Sequence, residues 1–271
     1  MGGGITNLAE AKSALDSFLT QRPINYAEIS IFLKNSKQEL LAVSDQVGAK
    51  NVWILETILS IQQQYLAIFT LLKKKEYYKA WQELECCGIK ITALSRHYDY
   101  KNDKAIFFID RYVKKYQSLY PYKLFSSIEM IHDEVLCSIC KKRITPRSFC
   151  GHINGEIYDG ELCYRIITKA KVLGISIVNN PVHKSAVLFP GNESKDTYNY
   201  DPLDYLLSHL NSPFSRWDVS ITKKECPINK FYQVKQNDPC PCGSKKKYQN
   251  CCINNKTIVV NHYYFTLEED S

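Results

Sequence analysis

Two groups of cysteines carry the chemistry that this sequence offers. Near the C-terminus, Cys240-Pro241-Cys242 and Cys251-Cys252 form a C-x-C-x8-C-C pattern. In the middle, Cys137-Ser138-Ile139-Cys140 is followed by Cys150-Gly151-His152, a C-x2-C-x9-C-x-H pattern. Thiolates and imidazoles are the soft donors that a tetrahedral zinc ion takes four at a time. C-x-C supplies one edge of such a tetrahedron, and eight residues turning at Gly243-Ser244 return the chain so that Cys251 and Cys252 supply the other. Cys137 and Cys140 form a knuckle whose backbone amides can donate to sulfur; Cys150 and His152 complete the set, with Cys163 as an alternative to His152. Four protein donors leave no open position for water, so each site is structural. The expected content is two Zn(2+) per chain. The chain has eleven cysteines, and no charged-then-apolar segment opens it. Short-spaced cysteines in that setting read as metal ligands, not as disulfides, and the expected compartment is cytoplasmic.

Residues 238–252 closely resemble the SEC-C motif, the zinc-binding module at the C-terminus of the bacterial preprotein translocase motor ATPase, which also occurs in many other bacterial proteins. The likeness rests on the Pro between the first cysteines, the Gly-Ser turn, the Lys-Lys-Tyr run and the paired cysteine ending; Lys245 stands where the family usually has a second glycine. The resemblance implies zinc. In the translocase it also implies a docking surface for an acidic chaperone, which makes Lys245, Lys246, Lys247 and Tyr248 candidate partner contacts. No Walker-type loop is present, so motor activity does not carry over. Residues 134–190 are similar to a zinc-containing segment of phage head-assembly and mobile-element proteins, through Gly155-Glu156-Ile157-Tyr158-Asp159-Gly160 and Ile175-Ser176-Ile177-Val178-Asn179-Asn180-Pro181.

The elements that must position these groups fall into an α+β chain: an N-terminal long-helix bundle or hairpin followed by small β-containing zinc modules. Leu8 to Leu19 is amphipathic, and Asn25 with Glu28 makes a capping box for a helix reaching about Val47, ended by Gly48. Lys50 to about Glu85 lacks proline and glycine, and Leu55, Ile58, Tyr65, Phe69, Leu72, Tyr77, Trp81 and Leu84 mark one face of a single long helix. The far end of that stripe, at Trp81, is a candidate partner surface. Gly88 breaks the pattern, and a further helix covers Asp103 to Tyr116. Leu162 to Thr168 and Val172 to Val178 are strand-like, with Ala186 to Phe189 able to pair with them. Pro190 to Asp201 reads as linker, Pro202 to Leu210 as a short helix and Thr257 to Thr266 as a last strand. The expected domains are 1–127 helical, 128–189 a zinc-ribbon-like β module, 190–235 a linker with a short helix, and 236–271 the SEC-C-like module with its terminal strand.

The most apolar stretch, Val52 to Leu72, is interrupted by Glu56 and Gln62-Gln63-Gln64, so no membrane span is expected. No catalytic constellation emerges: His132-Asp133-Glu134 lacks the second histidine of a metalloprotease helix, and nothing brings Cys163 to His183. The formal charge of +7 is spread along the chain. Two classes of function remain. One is a zinc-binding, non-catalytic interaction or adaptor protein that docks a protein partner, or a second copy in a homodimer, through its helical arm and zinc modules. The other is a zinc-ribbon nucleic-acid binder of a phage or mobile-element-linked system, using Lys141, Lys142, Arg143 and Arg147.

Overall fold

The computed structural model describes residues 4–189, 198–238, 240–244 and 246–268. They form an α+β chain in two compact units, Met1–Leu207 and Ser208–Ser271. Most of the linker expected after Pro190, and Lys245, lie outside the described residues.

The first unit is built on a helical bundle whose starts are fixed by side chains that satisfy otherwise orphaned amides. Asn7 caps α1 (Leu8–Asp16) through the amide of Glu10. Asn25 accepts from the amide of Glu28 at 3.2 Å to open α2 (Tyr26–Ala42). Asp45 accepts from the amide of Gly48 at 2.9 Å, so Gly48 lies in the first turn of α3 (Gln46–Lys73) and does not end the helix before it. α4 (Tyr77–Leu94) follows, and Asp103 caps α5 (Lys104–Ser118) through two amides at 3.0 Å.

The single long helix expected from Lys50 to Glu85 is therefore two. Lys75 takes a left-handed conformation (φ 60°), and the amides of Lys75 and Glu76 turn back to the carbonyls of Leu72 and Leu71 at 3.0 Å. This closes α3 and reverses the chain. The apolar stripe thereby packs against itself across the α3–α4 hairpin; Leu55, Ile58, Tyr65, Phe69, Leu72, Tyr77 and Leu84 are all buried. Gly88 sits inside α4, where it interrupts nothing.

Trp81, expected at a partner surface, is only 5% exposed. Its Nε1 donates to the Lys184 carbonyl at 2.6 Å, and its ring packs on Tyr120, Tyr122 and Phe125. The segment following α5 folds over it, so this end of the stripe is core and offers a partner nothing.

Phe125 begins a long antiparallel ribbon in which β1 (Phe125–Cys137) pairs with β4 (Arg165–Val178) from Phe125↔Val178 to Cys137↔Arg165. The two strand-like stretches foreseen between Leu162 and Val178 are one strand, and their partner is β1. Ala186 and Val187 bridge to the start of β1 instead. The intervening segment, 138–164, is an insertion at the ribbon's tip. It contains a small hairpin, β2 (Ile157–Tyr158) and β3 (Glu161–Leu162), turned at Asp159-Gly160 with φ of 52° and 66°.

That hairpin rests on the helices. Lys37 donates to the Gly160 carbonyl at 3.0 Å and to Glu161 at 3.1 Å. Gln46 donates to Asp159 Oδ1 at 2.6 Å and accepts from the Asp159 amide at 3.0 Å. His97 Nε2 lies 2.7 Å from the Gly155 carbonyl. The ribbon is thus held at both ends, by the Trp81 cluster at its base and by these bonds at its tip. α6 (Asp201–His209) closes the unit, Asp204 accepting from Tyr77 at 2.7 Å.

In the second unit, β5 (Trp217–Pro227) pairs along its whole length with β6 (Thr257–Leu267). β5 falls where a linker was expected. The segment 228–256 is again an insertion at a ribbon tip. No described helix is long and apolar enough to cross a membrane.

Gly160 combines a positive φ with a backbone carbonyl (Ala49) and the Lys37 stem, each 3.2 Å from where a Cβ would sit. Gly160→Ala is expected to cost about 1–2 kcal/mol, read as a fall of a few degrees in the thermal midpoint of the zinc-loaded chain. An unchanged midpoint would show that the hairpin's docking contributes nothing.

Candidate metal centres

The ribbon tip positions the central set. The strand pair ends at Cys137↔Arg165, and Cys137 then turns into a knuckle in which the Lys141 amide donates to the Cys137 carbonyl at 3.0 Å. Lys141 adopts φ 59°, and the Cys137 amide donates to Lys142 at 3.0 Å. Cys150 and His152 return on the facing loop. The donor atoms of Cys137, Cys140, Cys150 and His152 all lie within 4.8 Å of one another. Cys137 Sγ is 3.7 Å from His152 Nδ1. A tetrahedron with Zn–S bonds of about 2.3 Å has sulfur–sulfur edges of about 3.8 Å, whereas a disulfide needs about 2.05 Å. The spacing is that of ligands round an ion, and every cysteine is free.

Cys163 lies outside this four-donor set, although its Sγ is 3.9 Å from that of Cys137 and its side chain is buried. Two residues that sequence reasoning did not single out steady His152. Arg165 Nη2 donates to the His152 carbonyl at 2.9 Å. The Tyr158 ring meets the imidazole edge-on at 4.6 Å, while its hydroxyl accepts from the Ile153 amide at 3.0 Å. The only sequence signal for Tyr158 was its place in the Gly155–Gly160 run.

The C-terminal set is built by a denser local weave. The Cys240 amide donates to Lys246 at 2.8 Å, the Gly243 amide to Cys240 at 3.0 Å and the Tyr248 amide to Asp238 at 2.8 Å. Gly243 holds φ 76°, as such a turn needs. Sγ of Cys251 stands 3.6 Å from those of both Cys242 and Cys252, and all four donors lie within 4.8 Å. Ser244 Oγ lies 3.1 Å from Cys251 Sγ.

Tyr248, expected among the partner contacts, is 5% exposed and packs with Cys240 and Ile258 as the buried core of this module. Its aromatic ring fills space inside the module and is not presented to a partner. Lys246 and Lys247 are exposed.

In each set one thiol is drawn down by its surroundings. At Cys137, burial works against the charge, but the amides of Cys140 and Ile139 and the neighbouring thiols draw the thiol down to about 6. At Cys140 the Lys142 amide pulls the thiol down, but burial and the neighbouring sulfurs of Cys150 and Cys137 outweigh it and push it up; burial and Cys137 push Cys163 up. Likewise Cys242, donated to by Ser244 and its neighbours against the effect of burial, falls to about 6, while burial and the adjacent sulfurs push Cys252 up to about 12. A divalent cation resolves this competition by making every sulfur an anion at once. These are the donor sets of two zinc-binding modules, and each can hold one zinc ion.

Comparison with known proteins bears on the second module. Residues 237–254 match the SEC-C motif. Relatives matching that region are protein translocase SecA subunits: one from Azobacteroides pseudotrichonymphae, 41% identical over 65 residues, covering 22% of this chain and 6% of the relative. Another, from Sulfurovum sp., is 58% identical over 44 residues, covering 16% and 5%. A third, from Finegoldia magna, is 57% identical over 30 residues, covering 11% and 3%. The likeness is thus to a small part of those proteins. No solved structure matches the chain.

Elemental analysis of protein purified under reducing conditions without chelator should return two zinc ions per chain. Cys137→Ser and Cys251→Ser should each lower this to one, and Cys163→Ser should leave it at two. A Cys163→Ser protein with one zinc would place Cys163 in the central ligand set.

Proposed function

We propose that this chain is a zinc-stabilised, non-catalytic interaction protein: a helical base that presents the central module, 138–164, and a second ribbon that presents the SEC-C module. The observation that carries this reading is that both clusters are supplied entirely by the protein at the tips of two-stranded ribbons. Sites closed in this way shape a surface and leave no position for substrate. In this reading the helical part and the β1–β4 ribbon with its tip belong to the first unit, and the second head is the whole β5–β6 ribbon with its tip, wider than the 236–271 expected for it. Lys246 and Lys247, exposed beside the cysteines of the SEC-C module, are the side chains we assign to an acidic protein partner; the likeness to the SecA subunits supports that direction. A cytoplasmic setting accords with free, clustered thiols, and a bacterial one with the likeness of residues 237–254 to SecA subunits.

A second reading rests on the knuckle loop, along which Lys141, Lys142, Arg143 and Arg147 are all exposed. Nucleic acid held there would be released by salt, with the log–log slope falling by about one for each phosphate-contacting residue removed.

Photocrosslinking in cells from position 246 and, separately, from position 142, followed by mass spectrometry, separates the two. The interaction reading expects discrete protein adducts from position 246 that disappear in the Cys251→Ser and Lys247→Glu variants. Adducts to nucleic acid alone, or protein adducts from position 246 indifferent to Cys251→Ser, would overturn it.

A further inference from the structure

The β1–β4 ribbon carries an apolar face that nothing in the described chain covers. Alternation along β1 puts Ile128 and Met130 on one side, and the register sets Ile175 opposite the first and Val172 opposite the second, with Ile177 next along β4. Their exposures are 51%, 38%, 68%, 58% and 69% respectively. Between Ser126 and His132 the remaining residues of that face are Ser126, His132 and Ala170, so no carboxylate, lysine or arginine interrupts it there. Within that stretch the charged residues, Glu129 and Lys171, lie on the other face, and Glu134 with Lys169 continue it towards the tip. A two-stranded ribbon exposed on both sides is marginal by itself, and its usual remedy is a second layer against the apolar face.

We propose that the covering layer is the same ribbon of a second copy, packed face to face about a two-fold axis into a four-stranded sandwich. This deepens the interaction reading above by assigning one partner, and moves the self-association surface away from Trp81. Two observations choose a second copy. The first is charge: the chain's formal charge is +7, yet this face carries none of it, so an identical face can approach without setting like charges together, and each apolar side chain meets another. The second is area. The five side chains present on the order of 500 Å² of apolar surface, the size at which a patch marks an interaction site. Two such faces bury on the order of 1,000 Å², the floor for a specific interface. Sheets pack about 10 Å apart, which these branched side chains span.

The experiment is light scattering and native mass spectrometry on the full zinc-loaded chain, with zinc content and circular dichroism read on the same samples. Wild type is expected at twice the 31.3 kDa chain mass. Ile175→Glu is expected to be a folded monomer that retains its zinc. Ile131→Glu, on the opposite face and itself 51% exposed, is expected to remain a dimer. Mixing Ile175→Glu with Ile175→Lys should restore a heterodimer. Should Ile175→Glu lose helix or zinc, Val172→Lys repeats the test at a neighbouring exposed site. A wild-type monomer, a dimer indifferent to Ile175→Glu and Val172→Lys, or one split equally by Ile131→Glu would each overturn the inference. A monomer carrying two zinc ions would do so while leaving the zinc-module reading standing.

Discussion

Four donors brought to one point at the end of a two-stranded ribbon must either share protons or share a cation, and everything beyond the ribbon tips depends on which they do. The surroundings draw the thiols of Cys137 and Cys242 down, while burial and the adjacent sulfurs push Cys252 up. The SEC-C module has a small core: Cys240, Tyr248 and Ile258 are buried, and partly buried side chains such as Ile228, Phe231, Val234 and Ile253 pack against them. A core of that size cannot offset about 1–2 kcal/mol of backbone entropy per ordered residue over a segment of this length. A bound zinc ion contributes on the order of 10 kcal/mol or more at such a site. The hydrogen-bond weave round Cys240 and Tyr248 then sets the shape that the ion makes stable.

The central module differs in having a second support. Lys37, Gln46 and His97 bind it to the helices through Gly160, Asp159 and Gly155. Arg165 and Tyr158 fix His152 from within. The ribbon beneath it is clamped at its base by the aromatic cluster round Trp81 and at its tip by these polar bonds. Its middle faces solvent, which leaves the apolar side available for a partner. The same motif, an insertion at a ribbon tip closed by four donors, is used once with support from the helices and once on a ribbon of its own.

The cysteine spacings make the metal sets legible in the sequence itself, because the constraint on a zinc ligand set is local and chemical. The helix starts are legible for a similar reason: Asn25 and Asp103 cap where their amides need them. The α3–α4 break is not, since no glycine or proline marks it and Lys75 adopts a left-handed conformation against its preference. β1 escapes notice because Glu129, Asp133 and Glu134 disturb its apolar alternation, and the bulges in its pairing with β4 shift the period of both strands. β5 is hidden by Lys223, Lys224 and Glu225, charges that suit an exposed ribbon as well as a linker. Trp81 and Tyr248 mark the limit of reading aromatics from sequence: both sit in stripes that look outward, and both fill space inside. Arg165 gives no signal, because its role is a bond to a backbone carbonyl.

Hydrogen exchange followed by mass spectrometry, on the full chain with zinc and after its removal by chelator, tests the dependence of both tips on their donors most directly. Loss of zinc should abolish protection across 228–256 and lower it across 138–164, while the amides of α3, α4 and α5 keep theirs. Protection that survives in 228–256 without metal, or that collapses in the helices together with the tips, would contradict the account.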